Sequence, residues 1–138
     1  MNVLVDTSVW SLAFRRRTAD LNPQEQGLVD ALGDLIRDGR AQIVGPVRQE
    51  VLSGMREPDN YRKLRDRLRV FPDPHLEGGD YEEAAQMSNQ CRSRGISGSP
   101  IDFLICSVAR RNHWQIFTTD EDFENYREAI PVNRYLPR

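Results

Sequence analysis

Short apolar segments alternate with longer amphipathic segments along the chain, and this alternation restricts the folds that the chain can adopt. The candidate strands are Val3–Val5, residues 42–44, residues 115–118 and two shorter segments at 70–71 and 130–132. The intervening segments carry apolar residues at helical spacing, as in the stripe Leu28, Val29, Leu32, Leu35 and Ile36. Strands that alternate with helices build a parallel sheet with helices on both faces. We therefore predict an α/β fold with a central, mostly parallel sheet of about four to five strands.

Start and stop signals give the predicted helices approximate boundaries. Thr7 and Ser8 offer an N-cap for the first helix, and Ser99 followed by Pro100 is typical of a helix start. The remaining predicted helices run from Pro23 to Gly39, from Gly45 to about Gly54, over residues 58–69, from Tyr81 to Gly95 and over residues 120–128. The segment 72–79, which ends in two glycines, is predicted to be a loop.

Size and composition favour one domain that spans residues 1–138. With 138 residues, of which 38% are hydrophobic and 29% charged, the chain suits a soluble fold with one core. No apolar run approaches the length of a membrane span, and the first residues lack a signal-peptide pattern, so a cytoplasmic location is the default expectation. Cys91 and Cys106 form no disulfide framework, and we predict that both are buried free thiols.

Four acidic residues follow candidate strands or begin helices on the same expected edge of the sheet. They are Asp6, Glu50, Asp102 and Asp120. Ligand sites in open parallel sheets form outside the carboxyl ends of the strands, where these residues would meet. Clustered carboxylates repel one another, so at neutral pH they must share protons or bind a cation. A site with oxygen ligands alone indicates Mg²⁺ or Mn²⁺.

Each acid taken singly also has a structural explanation. Asp6 can support a strand-to-helix turn, and Glu50 can face solvent on a helix. Asp102 and Asp120 can cap helices, because acidic residues are common in first helical turns. The shared position of all four at one sheet edge weakens these separate explanations.

Several well-known catalytic patterns are missing from the sequence. It contains no phosphate-binding loop, no dinucleotide-binding glycine motif and no nucleophile elbow. His75 and His113 are not spaced as zinc ligands and are predicted to lie on the surface. A phosphoryl-receiver domain needs a lysine after a late strand, whereas the one lysine of this chain is Lys63.

Four segments resemble the PIN-domain family, and within it the VapC-type toxins of toxin–antitoxin systems. The segments are VLVDTSVW at 3–10, VRQEVLSG at 47–54, IDFLICSVA at 101–109 and FTTDEDF at 117–123. Each segment is short, but the ordered set covers nearly the whole chain. The resemblance implies a single PIN-like domain.

The resemblance also implies a function, namely that of a metal-dependent endoribonuclease acting as the toxin of a toxin–antitoxin pair. Its catalytic and metal-binding acids would be Asp6, Glu50, Asp102 and Asp120, with one or two Mg²⁺ or Mn²⁺ ions. Attack by a metal-activated water would leave 5′-phosphate and 3′-hydroxyl ends. The implied partners are an RNA substrate, a small cognate antitoxin protein and a second copy of the chain in a homodimer.

Further residues receive supporting roles from the resemblance. Thr7 or Ser8 would hydrogen-bond to Asp6, and Thr118 would assist the site. Asp122 would be an auxiliary acid. Asp120 is preferred over Asp122 as the ligand because it directly follows two threonines.

Contact with RNA would depend on local basic clusters, since the formal net charge is −2. The stretch 15–17 is all arginine, and residues 61–69 are rich in basic residues. The candidate RNA contacts are Arg15, Arg16, Arg62 and Lys63. A solvated helix face is the alternative explanation for the second cluster.

Two other functions stay open from the sequence. One is a PIN-like module that binds RNA or protein without cutting it, although such a module has no need for four acids. The other is a metal-dependent phosphoesterase that acts on DNA or on a small phosphorylated substrate.

Overall fold

The computed structural model describes residues 1–137, and within them it contains three strands and seven α-helices. In chain order the elements are β1 (Val3–Val5), α1 (Thr7–Phe14), α2 (Pro23–Arg37), β2 (Ala41–Gln42), α3 (Gly45–Leu52), α4 (Pro58–Leu68), α5 (Gly78–Arg92), α6 (Pro100–Asn112), β3 (Gln115–Phe117) and α7 (Asp122–Tyr126). A short 3₁₀ helix, Thr18–Asp20, lies between α1 and α2. The predicted α/β class is confirmed, although the four helices α3, α4, α5 and α6 follow one another without an intervening strand.

The sheet is parallel, with the strand order β2-β1-β3. Val3 pairs with Ala41 on one side and with Gln115 on the other, so β1 is the central strand. All three residues of β1 are fully buried, and successive side chains point to opposite faces, so both faces of the sheet are covered at β1. The described residues form three strands, fewer than the four to five predicted.

Two short predicted strands are wrong, each for a local reason. Residues 70–71 form a turn after α4, because the Arg48 guanidinium binds the carbonyl oxygens of Leu68 and Phe71 and fixes that turn. Residues 130–132 contain Pro131, which has no N–H to donate to a ladder. The chain instead pairs with β3 slightly later, through a bridge between Ile116 and Arg134.

Two predicted helix starts also move. α1 begins at Thr7, with Asp6 in the N-cap position, because the Ser8 hydroxyl donates to the Asp6 side chain instead of capping the helix. α5 begins at Gly78 within the predicted loop, since the Asp80 carboxylate accepts a hydrogen bond from the Glu77 N–H. The predicted start of α6 is confirmed: Ser99 Oγ accepts from the Asp102 N–H at 3.1 Å.

The core lies between the sheet and the helices that pack on it. Its largest fully buried side chains include Trp10, Phe103, Phe117, Phe123 and Tyr126. Cys91 and Cys106 are buried free thiols, as predicted. In the part of the chain that the structure describes, no helix is both long and apolar enough to cross a membrane.

A buried ion pair that the sequence did not reveal joins α5 to α6. The Asp80 side chain is 2% exposed and accepts two hydrogen bonds from Arg111, at 2.6 and 3.0 Å. Its own backbone carbonyl accepts from Ser107 Oγ at 2.7 Å. Burial alone would raise the pKa of Asp80, but Arg111 and the Glu77 N–H outweigh it and hold that pKa below its usual range.

We expect Asp80→Asn to lower the free energy of unfolding at pH 7 by about 1–3 kcal/mol, because the buried side chain at position 80 would lose its charge-assisted hydrogen bonds with Arg111 and with the Glu77 N–H. An acid with a lowered folded pKa stabilises the fold above its unfolded pKa and loses this contribution as the pH falls through the folded value. The difference between wild type and variant in urea unfolding should therefore shrink below about pH 4.

Glu83→Gln is the matched control, because Glu83 pairs with the half-exposed Arg110 across the same two helices. An exposed pair is worth less, so this change should cost under about 1 kcal/mol. Equal losses for the two variants, or a difference independent of pH, would contradict the stabilising role of the Asp80 pair.

Candidate active site

Asp6 lies at the carboxyl end of the central strand, where the chain turns into α1. Asp6 is 6% exposed to solvent. Asp6 Oδ2 accepts hydrogen bonds from Ser8 Oγ at 2.9 Å and from Thr118 Oγ1 at 2.8 Å. Ser8 is therefore the residue that supports Asp6 by a side-chain hydrogen bond, while Thr7 Oγ1 is buried without a partner among residues 1–137.

Thr118 connects the ends of the two paired strands β1 and β3. Its hydroxyl donates to Asp6 and accepts the Asp120 N–H at 3.0 Å. Ser8 Oγ also accepts the Thr119 N–H at 3.1 Å. These bonds join the loop after β3 to the start of α1, so Asp6 and Asp120 are held on the same edge of the sheet.

Asp102 reaches this edge from the first turn of α6. Its Oδ2 accepts a hydrogen bond from the Tyr126 hydroxyl at 2.6 Å. Asp102 is partly buried, which agrees with the expectation that it flanks the core-facing side of its helix. Asp102 thus contacts α7, and the charge of Asp6 at the end of β1 acts on it from nearby.

Asp120 and Asp122 occupy different environments although they are two residues apart. Asp120 is partly buried, and its Oδ1 accepts the Asp122 N–H at 2.9 Å. Asp122 begins α7 and is exposed. This arrangement favours Asp120 as the inner acid of the two.

Glu50 differs from the three aspartates. It lies on α3, is exposed and makes no side-chain hydrogen bond or ion pair within the described chain. The charges that shift the pKa values of Asp6 and Asp102 come from the aspartates and do not include Glu50. The structure therefore places Asp6, Asp102 and Asp120 near enough for their charges to act on one another, without direct convergence, and leaves Glu50 apart.

The pKa values of Asp6 and Asp102 depend on burial, on hydrogen bonds and on the charges of neighbouring aspartates. Burial raises the pKa of Asp6, the hydroxyls of Thr118 and Ser8 partly offset this, and the charge of Asp120 raises it further. Burial also raises the pKa of Asp102, as do the charges of Asp6 and Asp120, against the lowering effect of the Tyr126 hydrogen bond. Among residues 1–137, no arginine, lysine or histidine forms an ion pair with any of these aspartates.

The residues present fit a hard divalent cation by donor type and charge. All donors are carboxylate oxygens, they are partly desolvated, and their charge has no protein counter-ion in the described part of the chain. Across residues 1–137, however, no three acidic, histidine or cysteine side chains converge closely enough to form a ready-made site. A cation at this edge would draw the carboxylates together and offset their repulsion.

The sequence as a whole matches a known domain family. The sequence model of the PIN domain matches residues 3–129, which is most of the chain. The chain belongs to the PIN domain family. A comparison with curated protein sequences found no match for this PIN domain.

Solved structures share the fold of this PIN domain over almost its full length. FitAcB from Neisseria gonorrhoeae is 20% identical, with a TM-score of 0.72 and coverage of 98% of this chain and 97% of that one. VapBC2 from Rickettsia felis, bound to a DNA fragment from its promoter, is 15% identical, with a TM-score of 0.72 and coverage of 98% of each chain. A toxin-antitoxin complex from Klebsiella pneumoniae is 15% identical, with a TM-score of 0.68 and coverage of 97% and 100%.

Two residues that sequence reasoning missed contact the acidic edge of this PIN domain. Tyr126 binds Asp102, and Arg134 donates to the Thr118 carbonyl at 2.9 Å and to Glu124 at 2.9 Å. The contacts with Asp102 and Thr118 each join a residue inside one of the four family-like motifs to a residue beyond the last motif, which ends at residue 123. An aromatic residue in an amphipathic pattern predicts core packing, so the sequence carried no signal for the Tyr126 hydroxyl.

The four predicted RNA contacts divide into two pairs in this PIN domain. Arg16 forms an ion pair with Glu25, and Arg62 forms one with Asp59. Arg15 and Lys63 have no acidic partner within residues 1–137. The ion pairs of Arg16 and Arg62 leave these two side chains with less positive charge available for a phosphate than Arg15 and Lys63 have.

Proposed function

We propose that this PIN domain is the toxin of a toxin–antitoxin pair and that it cleaves RNA internally with the help of Mg²⁺ or Mn²⁺. The observation that carries the proposal is the group of three partly desolvated aspartates without a basic partner in the described chain. Sites for hard divalent cations such as Mg²⁺ and Mn²⁺ are built from carboxylate oxygens, whose negative charge the cation neutralises. The fold shared with a toxin-antitoxin complex supports the biological assignment.

Asp6, Asp102 and Asp120 would bind the metal, and Glu50 would join them from α3. One or two ions, when bound, lower the pKa of water and stabilise the leaving oxygen of the phosphodiester. Ser8 and Thr118 hold Asp6 by hydrogen bonds, so its carboxylate is oriented before any ligand arrives. Asp122, which is exposed beside Asp120, would be an auxiliary acid of the metal site. Attack by water predicts 5′-phosphate and 3′-hydroxyl ends.

The proposed function is tested by induced expression in a bacterial host, followed by sequencing of new RNA 5′ ends. Wild type is compared with Asp6→Asn and with Asp38→Asn, a control at an exposed residue after α2. We expect discrete new 5′-phosphate ends with wild type and the control, and none with Asp6→Asn. Products with 2′,3′-cyclic phosphates would contradict the water mechanism, and no new ends from folded wild type would favour a binding module.

The proposed partners follow from the same assignment. A small cognate antitoxin would cover the acidic edge with a basic side chain, because a positively charged side chain, like a metal ion, relieves the repulsion between the aspartates. The predicted homodimer is tested separately by light scattering of the purified chain. Loss of inhibition when the antitoxin's basic residues are neutralised would support blockage of this edge.

We also propose a cationic surface, defined as Arg15, Lys63 and Arg67, as the contact for the RNA backbone. Arg15 follows α1, and its guanidinium lies close to Gly54, the turn after α3. The Arg67 guanidinium lies 4.3 Å from the ring centre of Phe14, next to Arg15. Lys63 precedes Arg67 by one helical turn, which places both on the same side of α4. None of the three pairs with an acid within residues 1–137.

We expect Lys63→Gln to reduce the salt dependence of RNA binding, because one phosphate contact is lost. For single-stranded RNA the slope of log affinity against log salt should fall by about 0.7. Binding is measured by fluorescence anisotropy with protein that carries Asp6→Asn, so that the RNA is not cut. Arg62→Gln is the control, since Arg62 is paired with Asp59 and should leave the slope nearly unchanged. Equal effects would contradict the assigned surface.

A further inference from the structure

Asp102 shares a short hydrogen bond with a tyrosine from a separate helix. The Tyr126 hydroxyl donates to Asp102 Oδ2 at 2.6 Å, although the two residues are 24 positions apart. Tyr126 is fully buried and Asp102 is partly buried, so this bond is partly shielded from water. In the described range no side chain forms a direct hydrogen bond with Asp102 Oδ1, although the Ser99 hydroxyl lies close enough to lower the pKa of Asp102 as the Tyr126 hydroxyl does.

The tyrosine ring is fixed on several sides. Its centroid lies 5.0 Å from that of Phe103 and 5.2 Å from that of Phe123. Gly98 lies against the ring: a Cβ placed there would be 2.5 Å from the Tyr126 hydroxyl oxygen and 2.7 Å from two ring carbons. A larger residue at position 98 therefore fits only if the tyrosine ring or the loop itself shifts, and either shift would disturb the present contact between ring and loop.

We propose that Tyr126 is a positioning residue, which holds Oδ2 of Asp102 and leaves Oδ1 for a divalent cation, and that Gly98 provides the space that this contact needs. This inference rests on the proposed function of the site. Carboxylates that bind metals are themselves held by hydrogen bonds, and loss of such a partner typically lowers metal affinity 10–100-fold. The fixed ring restricts the rotation of a carboxylate that the first turn of α6 alone would leave free.

In a purely structural role, Asp102 would serve Tyr126, and Tyr126 would not position Asp102. A buried tyrosine needs a partner for its hydroxyl, and Asp102 can supply that partner without any function. In that case, loss of the hydroxyl would leave a phenyl ring packed on Phe103 and Phe123, and metal binding would not change. The two roles therefore differ in metal affinity and not in stability.

The decisive experiment is Mn²⁺ binding by titration calorimetry to the metal-free full chain, without RNA. Wild type is compared with Tyr126→Phe, with Asp102→Asn and with Tyr81→Phe, a control at an exposed tyrosine. We expect Tyr126→Phe to weaken Mn²⁺ binding 10–100-fold, with a melting temperature close to wild type. In RNA cleavage, kcat at subsaturating Mn²⁺ should fall while KM for RNA stays within about twofold.

Gly98→Ala supplies a second, independent variant. We expect it to weaken Mn²⁺ binding as Tyr126→Phe does, and the double variant to be no weaker than the worse single variant, because both changes remove the same contact. Unchanged Mn²⁺ affinity in Tyr126→Phe, with weakened binding in Asp102→Asn, would overturn the positioning role alone. Absence of Mn²⁺ binding by wild type would instead overturn the metal-dependent function on which it rests.

Discussion

Replacing Asp6 with asparagine is expected to lower RNA cleavage by about 10³-fold, because a metal site contributes several kcal/mol of transition-state stabilisation. Asn keeps the shape of Asp6 and can still accept from Ser8 and Thr118 through its amide oxygen. It removes the charge that attracts the cation. Cleavage of a labelled RNA at saturating Mn²⁺, with calorimetry for metal affinity, measures both consequences.

The same variant should be at least as stable as wild type when metal is absent. Burial raises the pKa of Asp6, so the ionised carboxylate opposes folding at neutral pH, and asparagine removes that cost. Because the folded pKa is the higher one, wild type loses stability as the pH rises toward that value, and the variant does not. The advantage of the variant should therefore shrink in acid. A large fall in its metal-free melting temperature would show that Asp6 is chiefly structural.

Asp120→Asn and Asp122→Asn should differ strongly in their effects on cleavage. Asp120 is partly buried, and its charge acts on Asp6 and Asp102, whereas Asp122 is exposed. We expect a loss of about 10²–10³-fold for Asp120→Asn, by the same metal argument. For Asp122→Asn the loss should stay below about tenfold, as for an auxiliary group. Rates are measured with one RNA over a range of Mn²⁺ concentrations.

Both variants keep the Asp122 N–H and its position at the start of α7, so a difference between them reports on charge and not on the helix. The hydrogen bond from that N–H to Oδ1 of residue 120 can also form with an asparagine oxygen. A larger loss for Asp122→Asn would reverse the assignment and make Asp122 the inner ligand. Equal losses would indicate that the loop binds the cation through both residues.

The sequence predicts the sheet and the acidic edge where the signal is local. Val3–Val5 is an uninterrupted apolar run, and the order of strands and helices places Asp6, Asp102 and Asp120 at strand or helix ends. The same reasoning overestimated the number of strands. Residues 70–71 are apolar, but Arg48 fixes them as a turn from 22 or more residues away, and no local pattern reports such a contact.

The parts of the site that sequence reasoning missed depend on long-range packing. Tyr126 has the pattern of a core residue, and only its approach to Asp102 shows that its hydroxyl is used. Gly98 looks like an ordinary loop residue until the ring against it is known. Glu50 is the acid whose role the sequence pattern leaves least defined: it follows β2 as predicted, but it is exposed on α3 and makes no contact with the three aspartates, so its part in the site stays a prediction.

The central position of β1 affects when the site can form during synthesis. β1 is made first, but one of its edges is paired by β3, whose residues lie 112 positions further along the chain. A ribosome-bound chain that stops before Gln115 contains Asp6, Glu50 and Asp102, yet lacks Thr118, Asp120 and the strand that aligns them. The acidic edge therefore assembles only after residues 115–120 have been made, and a nascent chain that stops earlier would lack the arrangement on which the proposed nuclease activity depends.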